Sequence, residues 1–381
     1  MILYITIMVV TYTIAFRIQT TMLDDNIIER EGKKYRIFTR QDVINKIGML
    51  TLFLILFSVS ALRIYTGNDY RTYISHFHDI VHGNYVVTEE GFNAVVKAVY
   101  WFLGEENYLV IFAIFAFFTI FFFLRGIYEQ STDFALSFFL FMALGLYFQT
   151  FNTVRYYLAL SMVLYSMKYI KRDEYLKFVF WIILASFFHK SVLVVIPLYL
   201  LARVPWKKWQ VGILAILSLT GLFFESFFMQ IFLRLYPSYL EQEELLAAGT
   251  SGISYTNIFR CVSVLVLALY IYHRNGGVPV KDFWFYFYLN LAAIGVYTCF
   301  HFIPFVSRIG YYLNISHIFY LPLLIKLAPS GKTKMLMKII IFMAGVLYFL
   351  MFLMRADAIN VKILPYASWM NADLLMEKLV N

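Results

Sequence analysis

Long apolar runs separated by short polar loops repeat along the whole chain. The runs span residues 2–18, 43–62, 108–124, 134–149, 154–170, 176–188, 191–203, 210–232, 256–273, 283–302, 305–326 and 337–354. Most are long enough to cross a hydrocarbon core of about 30 Å as helices. Because the runs are continuous rather than alternating, they predict helices and not barrel strands. We therefore expect an all-α polytopic membrane protein with about 12 transmembrane helices, forming a single membrane domain over residues 1–381.

The distribution of lysine and arginine predicts the orientation of these helices. One set of alternate loops and their flanks carries 21 of the 32 basic residues, which predicts that this set is cytoplasmic. The sixth and seventh runs are short and lie between two basic loops, so they must form a hairpin that turns at "FFHKS". This topology places both termini, and the turns before residues 154 and 190, on the outer face.

Three polar segments are predicted on the same outer face. They are an outer-face loop at about 63–107, a second loop at about 234–255, and a C-terminal tail at about 355–381. In the first, "GFNAVVKAVYWFL" has apolar residues at helical spacing, which predicts an amphipathic helix in the membrane interface. No separate soluble domain is expected.

Composition narrows the choice of partners. The chain is 61% hydrophobic and 20% aromatic, with a mean hydropathy of +0.71. The net charge of +9 reflects basic cytoplasmic loops, so we expect contact with the lipid bilayer and no nucleic acid. Cys261 and Cys299 both lie in apolar runs and make no metal-ligand spacing. No nucleotide-binding motif is present, and we expect no cofactor.

Two arginines near predicted outer turns are the first candidates for chemistry. Arg155 lies in "FNTVRYYLA" and Arg308 in "PFVSRIGYYLN". An arginine at membrane depth is costly, so it is commonly retained for a substrate or ion. The guanidinium fork pairs bidentately with phosphate oxygens, which suits a pyrophosphate. The alternative is that each arginine extends to lipid headgroups. For Arg155 a functional role is favoured over contact with headgroups, because residues that can form hydrogen bonds lie nearby in the sequence. They are Gln149, Asn152 and Tyr156.

A histidine and an aspartate are the candidates for proton transfer. His189 lies at the predicted outer turn, with Ser191 two residues later. A histidine can take a proton from a sugar hydroxyl near neutral pH. Asp69 lies in "GNDYRTY" with Tyr70 and Tyr73, where it could bind sugar hydroxyls or act as the base. The structural alternatives are a histidine satisfied by backbone at a helix break, and an aspartate in a turn.

The segment "HFHDIVH" raises the separate question of a metal site. His78 and His82 would share a helix face at i, i+4, as two zinc ligands do. The sequence offers no obvious third ligand, so a hydrated interfacial helix is favoured. We therefore predict no metal.

Three motifs make the chain resemble the EpsG-type branch of the Wzy polysaccharide polymerases. The family has an outer G-x-D-Y-x-x-Y segment, a span that opens with N-x-x-R-Q-x-x-A, and a later F-H-x-S before an apolar run ending in proline. The chain departs from this pattern at Tyr156, where the family often has Gln, and at Val192, where a small residue is usual. The matching residues are Gly67, Asp69, Tyr70 and Tyr73; Asn152, Arg155 and Ala159; and Phe188, His189, Ser191 and Pro197. A looser likeness extends to "VSRIGYYLNI" and "LPYASW".

The resemblance implies a glycosyltransferase that is nucleotide-sugar independent and GT-C-like. Such an enzyme joins oligosaccharide repeat units of an O-antigen, capsule or exopolysaccharide, each carried on undecaprenyl pyrophosphate. It implies a location in the bacterial cytoplasmic membrane with the active site facing outside, and a possible Wzz-type co-polymerase as partner. On this interpretation Asp69, Arg155 and His189 are catalytic. Substrate binding would fall to Arg155 and Arg308, and to Tyr70, Tyr73, Gln149, Asn152, Tyr156 and Ser191.

Two other functions are compatible with part of the pattern. A transporter or flippase of lipid-linked oligosaccharides would also have about twelve spans, but it predicts charged residues in both halves of the membrane. A membrane O-acyltransferase would also use a histidine, but it needs a cytoplasmic or mid-membrane path for the acyl donor. The clustering of polar residues on one predicted face favours the polymerase.

Overall fold

The computed structural model describes most of the chain. The described residues are 1–19, 27–30, 33–36, 39–224, 226–227, 229–230, 254–301, 306–358 and 361–370. The predicted outer loop at 234–255 lies almost wholly outside the described residues, and so does the C-terminal tail from residue 371 onward.

Within the described residues, each predicted apolar run coincides with a helix or with a helix broken in two. The helices are α1 (Ile2–Ala15), α2 (Arg40–Ala61), α3 (Tyr70–Val81), α4 (Glu90–Leu103), α5 (Tyr108–Gln130), α6 (Phe134–Ala143), α7 (Leu146–Gln149), α8 (Val154–Lys171), α9 (Tyr175–Ser186), α10 (Val195–Arg203), α11 (Lys208–Phe223), α12 (Tyr255–Arg274), α13 (Lys281–Cys299), α14 (Val306–Asn314), α15 (His317–Leu327) and α16 (Gly331–Leu353). A 3₁₀ turn at Lys190–Val194 precedes α10. The predicted amphipathic helix is α4.

A small antiparallel hairpin accompanies the helices. Strand β1 (Ile27–Arg30) pairs with β2 (Lys33–Arg36), with Ile27 opposite Arg36 and Arg30 opposite Lys33. The hairpin lies in the first predicted cytoplasmic loop, where the apolar pattern gave no element.

Four of the described helices are long and apolar enough to cross a membrane, namely α2, α5, α12 and α16. Helices α1, α6 and α9 are apolar but shorter. The chain is thus an integral membrane protein built from helices. The total of about twelve spans stays a prediction.

The chain divides into two compact units. The first unit comprises Met1–Lys168, Phe180–Lys190 and Met335–Asn381. In it, α2 packs along α5, and α1 packs against α2 and α6. Almost every residue of α6 is buried, because its apolar side chains meet neighbouring helices on all sides. Tyr147, just after α6, donates from its buried hydroxyl to the Leu56 carbonyl oxygen at 2.8 Å, as a buried polar group requires.

The second unit comprises Tyr169–Val179 and Ser191–Lys334 and is organised around α13. Helices α10, α11, α12, α14 and α15 all contact α13. Buried polar groups in this unit are paired: the Asn290 amide donates to the Cys261 carbonyl oxygen at 2.9 Å, and Asn290 Oδ1 lies 2.8 Å from His317 Nε2. Such pairing offsets the cost of placing polar side chains inside an apolar core.

Candidate active site at the start of α8

The turn that precedes α3 is fixed against the turn that precedes α8. The backbone N–H of Asn68 donates to Asn152 Oδ1 at 2.8 Å. Gly67 has a φ of +106°, and a Cβ at this position would lie 2.3 Å from the Phe151 carbonyl oxygen. Only glycine tolerates both the dihedral angle and the close approach. Two segments of the family-like motifs therefore meet directly.

The segment 361–369, near the C-terminus, runs along the same region. The backbone N–H of Gly67 donates to the Lys362 carbonyl oxygen at 2.8 Å, and that of Ile64 donates to Ala367 at 2.9 Å. This segment contains "LPYASW", the last of the family-like stretches. The start of the loop at 63–107 and the segment 361–369 are therefore in contact within the first unit. The distribution of basic residues predicts that both lie on the same face of the membrane.

Arg155 occupies the first turn of α8 and is mostly buried. Its side chain is 19% exposed, and its Nη1 donates to Glu89 Oε2. Its guanidinium carbon lies 5.3 Å from the centre of the Phe92 ring and 6.0 Å from that of Tyr73. Its buried Nε finds no hydrogen-bond partner among the described residues. This arrangement argues against an arginine that merely extends to headgroups, and it leaves one donor uncommitted.

Glu89 connects three parts of the site, and sequence reasoning missed it. The side chain is 13% exposed. Its Oε1 accepts from the Lys190 backbone N–H at 3.1 Å and lies 4.0 Å from His189 Nδ1, beyond hydrogen-bond distance. Glu89 directly precedes α4, where acidic residues are common because they suit a helix N-terminus. No sequence signal therefore distinguished it from Glu90.

His189 is held at the break that follows α9. Its side chain is 15% exposed, and its ring meets that of Tyr156 edge-on with centroids 5.4 Å apart. The Gly91 backbone N–H donates to the Phe187 carbonyl oxygen at 2.9 Å, and a Cβ on Gly91 would lie 2.7 Å from that oxygen. This close approach of α4 to the end of α9 brings Glu89 beside His189.

Helix α3 contributes polar groups to the same region. Tyr73 is buried, and its hydroxyl oxygen lies 3.5 Å from the Arg155 backbone nitrogen. Burial raises the pKa of Tyr73, although the Arg155 charge opposes the shift. Burial, followed by the Arg155 charge, lowers the pKa of His76, which favours the neutral imidazole. Asp79, and after it Asp69, oppose the shift at His76, so both carboxylates lie within electrostatic range of this ring.

Two other predicted site residues are engaged in packing. Tyr70 is buried and stacks on Phe112 with centroids 4.6 Å apart. Burial raises the pKa of Tyr70 to about 12, with the Arg63 charge opposing. Gln149 accepts from the Tyr157 hydroxyl through its side-chain oxygen. Both side chains are thus held by contacts within the first unit.

Arg63 is a second buried arginine that sequence reasoning did not single out. It is 1% exposed and lies between the rings of Phe112 and Phe151, with centroid distances of 5.0 and 5.2 Å. Its Nη1 donates to the Ser60 carbonyl oxygen. Burial lowers the pKa of Arg63 to about 10, so it remains charged at neutral pH. Its full enclosure by aromatic rings indicates a packing role.

Ser191 and Arg308, the remaining predicted residues, belong to the second unit. The Ser191 hydroxyl lies 3.1 Å from the Tyr312 hydroxyl, and Tyr199 donates to the Tyr312 carbonyl oxygen. Arg308 is half-buried on α14, the same helix that carries Tyr312.

Together these observations define a helical membrane protein with an Arg–Glu–His cluster at one end of its first unit. The sequence profile of the EpsG family matches residues 46–368, and the chain belongs to that family. No curated protein and no solved structure gives a significant match. The chain is accordingly a membrane protein of the polysaccharide polymerase type.

Proposed function

We propose that this protein polymerises oligosaccharide repeat units carried on undecaprenyl pyrophosphate, at the outer face of the bacterial cytoplasmic membrane. The observation that carries the proposal is Arg155, a mostly buried cation with an uncommitted Nε beside a partly buried histidine. A pyrophosphate oxygen offers that donor the charge-assisted hydrogen bond it lacks. The reaction needs no nucleotide sugar, because the lipid pyrophosphate is the leaving group.

An apolar cavity next to Arg155 suits the lipid part of such a substrate. The cavity is about 210 Å³ in volume and lies among α4, α5, α8 and α9. Leu158, one helical turn after Arg155, and Phe188, which adjoins His189, both line it. In a lipid pyrophosphate the charged head is directly followed by apolar units, just as Arg155 is directly followed by the apolar cavity. The site would thus hold both parts at once.

The proposed chemistry is transfer of the growing glycan to an acceptor sugar. The acceptor hydroxyl oxygen attacks the anomeric carbon of the donor, and the bond from that carbon to the pyrophosphate oxygen breaks. The pyrophosphate leaves with the electron pair, and Arg155 stabilises its charge. The hydroxyl proton passes to His189, with Asp69 as the alternative base. Glu89 positions both Arg155 and the segment that carries His189.

The remaining features of the proposal follow from the sequence and the family. Tyr73, Asn152 and Tyr156 frame the sugar site, and Arg308 and Ser191 stay predicted substrate contacts of the second unit. The basic loops support a cytoplasmic location for the helix ends opposite to Arg155, so the Arg155 site faces outward. A GT-C-like arrangement of about twelve spans and a Wzz-type co-polymerase complete the proposal.

The lipid-linked glycans of cells that lack the protein test this function. We expect single repeat units to accumulate on the outer face and the polymer to disappear. Units trapped on the inner face would indicate a flippase instead, and polymer of normal length lacking acyl groups would indicate an acyltransferase. Purified protein should also form polymer from lipid-linked units without any nucleotide sugar.

A further inference from the structure

A second polar cluster lies on the other side of α3, away from the chemistry proposed above. His78 lies on α3 and His82 caps the C-terminus of this helix, and their ring centroids are 4.1 Å apart. Glu106, which lies between α4 and α5, approaches both: its Oε1 is 2.9 Å from His78 Nδ1 and 3.5 Å from His82 Nδ1. One donor atom from each residue lies within 4.8 Å of the others. Glu106 is the third group that the sequence did not reveal.

We propose that His78, His82 and Glu106 form a site for a divalent transition-metal ion, with zinc as the best match. Two imidazoles and one carboxylate are a ligand set that zinc uses in sites with one open position. Imidazole ligands also suit zinc better than magnesium or calcium, which prefer oxygen donors. The carboxylate offsets one of the two positive charges of the ion.

The surroundings of the cluster orient the ligands. The Tyr108 hydroxyl donates to Glu106 Oε2 at 2.7 Å, which fixes the carboxylate and leaves Oε1 directed at the histidines. His82 Nδ1 lies 2.9 Å from the His78 carbonyl oxygen, a contact that leaves Nε2 of that ring available. Metal-ligating histidines usually donate their other ring N–H to such an acceptor.

Only a small rearrangement would close the site around an ion. Zinc bonds of about 2.0–2.2 Å place tetrahedral donors about 3.3 Å apart. The side chains of His78 and His82 are 56% and 53% exposed, so their rotamers can adjust without disturbing a packed core. Glu106 is 20% exposed and already held by Tyr108.

A bound ion would connect α3 to the turn between α4 and α5. The ligands come from the C-terminal half of α3 and from the residue directly before Asn107, which caps α5. The ion would therefore add a cross-link between segments that the stacked rings of Phe77 and Tyr108 already hold together. Because α3 also carries Tyr73, the ion would stiffen one wall of the Arg155 site.

Zinc binding to the purified full-length chain tests this proposal. The protein is prepared without a polyhistidine tag, stripped of metal, and titrated with Zn²⁺ against a chromophoric chelator; Co²⁺ serves as a spectroscopic probe. We expect one tight ion per chain, and Glu106→Gln should weaken its binding at least about tenfold. Glu105→Gln is the matched control, because its carboxylate is adjacent in sequence but outside the cluster, and it should bind as the wild type does.

Hydrogen exchange supplies a readout that does not depend on activity. Zn²⁺ should slow backbone exchange in α3 of the wild type and of Glu105→Gln, but not of Glu106→Gln. Retained tight binding in the double variant His78→Ala/His82→Ala would identify the ion as adventitious and overturn the proposal. Absence of tight Zn²⁺ binding to the wild type would overturn it equally.

Discussion

The two ends of α8 each carry a mostly buried cation, and the cations differ in how fully they are paired. Lys168, near the C-terminal end, lies 2.6 Å from Glu129 and 3.6 Å from the centre of the Tyr165 ring. Arg125 lies 2.5 Å from the other oxygen of Glu129, so this carboxylate serves two cations. This cluster is complete in itself and needs no ligand.

The opposite end of α8 is built differently. Arg155 shares Glu89 with the Lys190 backbone and keeps one buried donor, Nε, without a partner among the described residues. His189 stands 4.0 Å from the same carboxylate, and an apolar cavity opens beside it. A buried polar group without a partner costs free energy in the isolated protein. Arg63 also keeps a buried Nε without a partner among the described residues. A candidate site therefore differs from a structural ion pair by an unpaired donor together with an adjacent histidine and cavity, and not by charge alone.

The largest expected difference between the two ends is their accessibility across the membrane. A cysteine in place of the exposed Lys190 should react with a membrane-impermeant thiol reagent in right-side-out vesicles. A cysteine in place of Arg125 should react only after permeabilisation. Cys261 and Cys299 are buried, so they should give little background. Labelling of Arg125→Cys in intact vesicles would reverse the orientation.

Removing the carboxylate at each end should have opposite consequences. Glu89→Gln should lower the polymerisation rate about a hundredfold, because Arg155 and the His189 segment lose their common anchor. The lower rate of Glu89→Gln should result mainly from a lower kcat, and Glu89→Asp should recover part of that rate. Glu129→Gln should instead destabilise the fold by about 3 kcal/mol, since it leaves two cations unpaired, while the rate per folded molecule stays close to that of the wild type. Equal polymerisation rates per folded molecule for Glu89→Gln and Glu129→Gln would contradict the assignment of Glu89 to the site and of Glu129 to the fold.

The turn at Gly67 gives a smaller, structural test of the Arg155 end. Gly67→Ala combines a left-handed dihedral with an overlap against Phe151, and it should cost at least about 3 kcal/mol. Gly83→Ala is the control, because its φ is also positive but a Cβ there meets no atom within 4 Å; it should cost about 1–2 kcal/mol. Thermal unfolding can be followed by the loss of helical circular dichroism. Similar melting temperatures would show that the contact with Phe151 is unimportant.

The helices were predictable from the sequence because apolar runs of this length leave few alternatives in a membrane. The break between α9 and α10 was also predictable, since two basic loops enclosed runs too short to continue without a turn at residues 187–190. The breaks inside longer runs were less visible. At Gly145 the chain adopts a φ of +72° and separates α6 from α7, although the run at 134–149 shows no interruption in hydropathy.

The partners within the site were not predictable in the same way. Arg155 and His189 stand out because they are polar residues in apolar surroundings, which a single sequence reveals. Glu89 and Glu106 lie in a loop where acidic residues are ordinary, and only the folded chain brings them to Arg155 and to His78. Contacts between distant loops leave no periodic signal in hydropathy.

The central claim is that Arg155 holds the pyrophosphate through the geometry of its guanidinium, whereas Lys168 needs only its charge. The most direct measurement is the rate of polymer formation from purified lipid-linked repeat units by Arg155→Lys and by Lys168→Arg, each normalised to folded protein. We expect Arg155→Lys to lose about a hundredfold or more in rate, because lysine keeps the charge but loses the fork. Lys168→Arg should stay within about threefold of the wild type in rate per folded molecule, because Lys168 pairs with Glu129 at the other end of α8 and the exchange keeps the charge. Near-normal polymerisation by Arg155→Lys would contradict the claim.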